Sequence, residues 1–73
     1  MSKWISTDGL TDKDMPDVRV VAEYRTQFFG KDSSEYAVVY YDNPNDYVGG
    51  DGQGWLMWYM DIPVEVIRFK EFL

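Results

Sequence analysis

The stretch VRVVAEYRTQFF, residues 18–29, alternates more regularly than any other part of the chain. Val18, Val20, Ala22, Tyr24, Thr26 and Phe28 fall on one side, and Arg19, Glu23, Arg25 and Gln27 on the other. Val21 and Phe29 interrupt the polar side. A period of two, rich in β-branched and aromatic residues, predicts a half-buried strand. Turn chemistry follows in GKDSS, residues 30–34. The apolar run EYAVVYYD, residues 35–42, then predicts a returning strand and hence a β-hairpin.

A glycine-rich loop comes next, NPNDYVGGDGQG at residues 43–54, feeding the aromatic run WLMWYM at residues 55–60. Apolar residues on both faces of that run predict a third, central strand. On simple alternation Leu56, Trp58 and Met60 form its core face. The tail admits two readings. Ile62, Val66, Phe69 and Leu73 make a helical stripe, with Pro63 suited to a first helical position. Val64 and Val66 alternate like a strand, but the pair Val66-Ile67 breaks that phase. The N-terminal KWIS reads as a short strand, Asp8-Gly9 as a turn, and LTDKDMPD as an irregular acidic connection. The expected fold is therefore α+β: a small antiparallel sheet of three to four strands with a C-terminal helix packed on it. The alternative is all-β, with the tail as a further strand.

Length makes this one small domain of 73 residues. Cysteine is absent, so neither a disulfide nor a thiolate metal site can reinforce it. A chain this short buries only about 60–65% of its unfolded surface. Its aromatic residues, 18% of the sequence, must supply much of that burial. A cysteine-free chain suits a reducing cytosol. No leader-like segment opens the sequence, and no apolar run is long enough to span a membrane.

Histidine is absent too, which removes the usual general base and the commonest metal ligand. Asp42, Asp46, Asp51 and Asp61 are the candidates for paired-carboxylate chemistry. The first three sit in or at the edge of a loop, where solvated aspartates are the ordinary expectation, so the chain is read as a non-enzyme. The glycine loop fails three motif tests. Trp55 stands where the last glycine of a dinucleotide fingerprint belongs. Gly54 stands where a calcium-binding nonapeptide needs aspartate. Pro44 stands at the third position of an EF-hand loop begun at Asp42. Weak calcium binding by Asp42, Asn45, Asp46 and Asp51 is the one outside possibility. No cofactor and no metal is expected.

Charge says more about partners. The net charge is −6, which repels nucleic acid and anionic membranes. Residues 42–60 hold three acids and no base, whereas residues 18–41 hold three of each. Trp55, Trp58 and Tyr59 could stack bases, but no basic groove accompanies them. If the first connection and the glycine loop share one end of the sheet, Asp12, Asp14, Asp17, Asp42, Asp46 and Asp51 form an acidic surface. Asp8 belongs to the same connection. Such a surface could face a basic protein and occlude a nucleic-acid-binding site.

Both ends of the sequence resemble a family of short bacteriophage and prophage proteins. Members open with Trp-Ile-Ser, a Leu…Pro connection and a valine-rich strand, matched by Trp4-Ile5-Ser6, Leu10, Pro16 and Val18 to Val21. They close with His-Trp-Met-x-Leu-Pro, matched by Trp58-Tyr59-Met60-Asp61-Ile62-Pro63. Trp58 replaces the family's histidine, Tyr59 replaces its tryptophan, and residues 64–73 extend beyond the usual end. The resemblance implies a phage or prophage origin, a bacterial cytoplasm as setting, and no established activity. The expected function is that of an acidic accessory protein that binds and inhibits a host or phage protein. The alternative is a structural component that self-associates through an aromatic oligomer interface.

Overall fold

The computed structural model describes residues 3–28 and 31–70. Its strands are β1 (Ile5–Ser6), β2 (Val20–Phe28), β3 (Lys31–Asp42), β4 (Gly54–Met57) and β5 (Glu65–Lys70). They form one antiparallel sheet in the order β1-β5-β2-β3-β4. Two short 3-10 turns, Asp12–Asp14 and Pro44–Asp46, are the helical elements among the described residues. The all-β alternative therefore describes the molecule, and the expected C-terminal helix is wrong.

The hairpin forms as its periodicity predicts, in an unbroken register from Val20↔Val39 to Phe28↔Lys31. β3 runs further than expected, since Lys31 to Ser34, read as turn chemistry, belong to it, whereas β2 begins only at Val20. Val20, Ala22 and Val39 point to one face and are fully buried. Trp55, Val66 and Phe69 complete that core, with Leu10, Met15, Tyr41 and Val64 packed against it. Phe69 stands opposite Ala22, so the one ring of β5 lies beside the smallest residue of β2.

The tail is a strand whose phase slips once. β2 pairs Glu23 with Arg68 and then Tyr24 with Val66, leaving Ile67 as an extra residue. This is a β-bulge. Val66 and Phe69, three positions apart, would face opposite ways in a regular strand. The bulge turns both into the core. Their three-residue spacing is what imitated a helical stripe. Leu73, the stripe's last member, lies outside the described residues, as does Phe29.

Thr7 pins the bulge. Its N–H donates to the Ile67 carbonyl at 3.1 Å. Its Oγ1 lies 2.9 Å from the Val66 carbonyl oxygen and 3.1 Å from that of Ile67, so one hydroxyl can serve either. A bulge leaves ladder groups without their regular partners, and a β-branched hydroxyl residue is well suited to satisfy them.

The run at residues 55–60 is strand only as far as Met57, and β4 is last in the sheet order rather than central. The chain then turns and runs back along the outer edge of β4. Met57 N–H donates to the Ile62 carbonyl at 2.9 Å, and Val64 N–H to that of Trp55 at 3.1 Å. The same segment continues into β5 and pairs with β2. It therefore touches both margins of the β2-β3-β4 meander and curls it around the core. This shelters an edge that a small sheet would otherwise expose.

Candidate functional site

The acidic residues gather at the end of the sheet where β3 finishes, but several are occupied there. The two acidic connections touch: Asn43 Nδ2 donates to the Asp12 backbone carbonyl at 2.7 Å. The Tyr41 hydroxyl donates to Asp12 Oδ1. Burial, and then this bond, push the Tyr41 phenol up to about 12. Asp42 holds the glycine loop from within. It accepts from the Tyr47 hydroxyl at 2.5 Å and from the Gln53 N–H at 3.1 Å. Tyr47's phenol is raised by its bond to Asp42. Asp14 accepts from Thr11 N–H at 2.9 Å and from the Thr11 hydroxyl at 3.0 Å, so its carboxyl lies below the usual range. Asp17, Asp46 and Asp51 are exposed.

Gly52 explains part of the glycine richness. A Cβ there would stand 2.5 Å from the Asp42 carbonyl oxygen and 2.5 Å from the Pro44 nitrogen. The loop folds flat against residues 42–44, and only glycine permits that approach. Among the described residues no group of three or more acidic side chains is placed to hold a metal ion.

The turn after β4 has the opposite character. Tyr59 is 88% exposed, Met60 64% and Ile62 48%. Tyr59 and Asp61 adopt left-handed backbone with φ of 72° and 52°. Such angles are uncommon outside glycine, and most unusual for a bulky aromatic residue. The turn is held in this shape. Asp61 N–H donates to the Met57 carbonyl and Trp58 N–H to that of Val38, each at 2.9 Å. The Tyr40 hydroxyl donates to Asp61 Oδ1 at 2.5 Å, which pushes the phenol up to about 12. Trp58 meets Tyr40 edge to face at 5.8 Å and Tyr59 at 5.1 Å. The Arg19 guanidinium lies 5.1 Å from the Trp58 ring centre. Tyr40, Trp58, Tyr59 and Arg19 thus form one group, with exposed Met60 next to it in the chain.

The expected core face of this run is corrected accordingly. Leu56 is buried, but Trp58 is half-buried and Met60 is exposed. The buried tryptophan is Trp55, packed against Tyr41 at 5.1 Å and Phe69 at 5.4 Å. Strict alternation missed the surface because it carried the strand through the turn. Asp61 and Pro63 were the available signals that the strand had ended.

A third cluster lies across β2, β3 and β5. Arg68 Nε donates to Glu23 Oε1 at 2.6 Å, and the Ser34 hydroxyl donates to Glu23 Oε2 at 2.6 Å. The Ser34 bond, with Arg68, keeps the Glu23 carboxyl below the usual range. Trp4 covers this group, with Arg68 4.4 Å and Lys70 4.9 Å from its ring centre.

Set beside known families, curated proteins and solved structures, the chain matches none. No helix among the described residues is long and apolar enough to cross a membrane.

Proposed function

We propose that the protein is a non-catalytic structural component that associates with itself through the aromatic turn at residues 58–62. One observation carries this reading: Tyr59 and Met60 project into solvent from a turn whose backbone is held in left-handed conformation at Tyr59 and Asp61. Strain of this kind persists where surrounding structure enforces it, and it clusters at functional positions. Exposed tyrosine and methionine beside tryptophan and arginine have the composition of a protein-binding centre. Sedimentation equilibrium at low and high salt tests the proposal. Apolar self-association persists as salt is added, and the double variant Tyr59→Ser, Met60→Ser weakens it and lowers the average mass. A wild-type chain that is monomeric, or that dissociates with salt, contradicts the proposal.

A second reading draws on the contact between Asn43 and Asp12, which sets the two acidic connections side by side. Here the acidic end meets a basic surface of a host or phage protein, in the phage setting that the resemblance implies. Exposed Asp17, Asp46 and Asp51 would carry that contact, because Asp12, Asp14 and Asp42 are engaged within the fold. Replacing those three with asparagine would slow association with a basic partner and flatten its salt dependence. Unchanged kinetics at low salt would remove this reading.

A further inference from the structure

β3 is twelve residues long, but β4 covers only its last part, Val39 to Asp42. Among the described residues, no strand pairs with the outer edge of residues 31–37. Which backbone groups this leaves outward follows from alternation. The Val38 carbonyl accepts from Trp58 N–H, so Val38 presents its polar groups away from β2. The register between β2 and β3 is unbroken, so Tyr36, Ser34 and Asp32 present theirs the same way.

We infer that this edge pairs antiparallel with the same edge of a second copy, about a two-fold axis at Ser34. In that register Ser34 meets Ser34, and Asp32 meets Tyr36 on both sides of the axis. All three outward residues of each copy are then paired, giving about six backbone hydrogen bonds. Charge disfavours two other registers: an axis at Glu35 would oppose two glutamates, and one at Asp32 would oppose two aspartates, both destabilising. An axis at Ser33 would set Lys31 opposite Glu35, but it would leave Tyr36 opposite residue 30 and pair fewer of the outward backbone groups.

The side chains suit the contact. Tyr36 is exposed, and its hydroxyl lies 3.4 Å from Arg68 Nη2, beside the Trp4 and Lys70 cluster. Asp32 of the second copy would arrive opposite that basic group. On the other face Lys31 would lie diagonal to Glu35 of the second copy, within reach of a long side chain. The edge belongs to the charge-balanced hairpin rather than to the acidic end, so the net charge of the chain does not set like charges against each other here.

This contact shares no residue with the aromatic turn and is independent of it. Amide exchange on the full chain, followed over a roughly hundredfold range of concentration, tests it. The Asp32, Ser34 and Tyr36 amides slow at least about tenfold as concentration rises, as amides entering a ladder do. Those of Ser33 and Glu35, directed at β2, do not change. Asp32→Pro abolishes the slowing, since it removes an outward donor at an edge where proline is tolerated. Ser34→Cys, in a chain with no other cysteine, oxidises to a disulfide dimer, whereas Glu35→Cys does not. The double variant at Tyr59 and Met60 leaves all of this intact. Exchange at residues 32, 34 and 36 that ignores concentration, or a Ser34→Cys variant that stays monomeric on oxidation, overturns the inference. Equal crosslinking at position 35 overturns the register.

Discussion

The glycine loop before β4 and the turn after it are built on different plans. The loop is tied down by polar bonds, with Asp42 accepting from Tyr47 and Gln53 and Asn43 reaching across to Asp12, while Asp46, Asp51 and Val48 stay in solvent. The turn sends apolar groups outward, with Tyr59, Met60 and Ile62 in solvent. Residue type alone suggests the reverse, with acids as the surface and the aromatic run as core. A carboxylate can thus serve as scaffold while a ring faces solvent. What decides is where the hydrogen-bond partners lie and where the strand stops.

The largest expected effect separates the two tryptophans flanking this divide. Trp55→Ala empties the core between Tyr41 and Phe69 and should cost about 3–5 kcal/mol, close to the whole stability of a small domain. Trp58→Ala loses an aromatic pair at a half-buried position and should cost about 0.5–1.5 kcal/mol. Urea unfolding of both variants measures the gap, and equal losses would erase the distinction between core and turn.

Gly52→Ala probes the loop plan. Its new methyl meets the Asp42 and Pro44 backbone, and overpacking of this kind costs about 1–3 kcal/mol. Thermal melting should register it. A neutral result would mean that the loop does not lie against residues 42–44 in solution.

Alkali acts on both regions at once. Tyr41, bonded to Asp12, and Tyr40, bonded to Asp61, both have phenols raised from the ordinary 10 to about 12. A group whose folded value is raised stabilises the fold fully below its unfolded value. That contribution is lost as pH rises through the folded one. Stability should therefore decline between about pH 10 and 12, with Tyr40 and Tyr41 the latest phenols in the ultraviolet titration. If every phenol titrates near 10, the Tyr41 and Tyr40 bonds do not form.

The smallest effect sharpens the turn. Tyr59→Gly relieves left-handed backbone and should leave stability unchanged or raise it by about 1 kcal/mol. A clear loss of stability would show the exposed ring to be part of the packing.

The hairpin was legible because β2 and β3 run in phase from end to end. Val20 and Ala22 occupy the positions that alternation assigns them. β5 was not legible, because the bulge at Ile67 shifts the phase and gives Val66 and Phe69 a helix-like spacing. Thr7, which supports that bulge, lies 59 residues from Val66 in sequence. The aspartates were identifiable as an acidic group, but their roles were not. Asp12 accepts the hydroxyl of Tyr41, 29 positions away, a pairing that no local period encodes. The exposed turn was hidden within an apolar run that continues past the end of its strand.

Dilution of isotope-labelled protein, followed by NMR, tests the central claim most directly. If the aromatic turn is the self-association surface, the side-chain signals of Tyr59, Met60 and Ile62 shift together with concentration. Asp46 and Asp51 stay still, and the shifts survive added salt. Signals of residues 58–62 that do not move, while those of the acidic end do, would contradict the account.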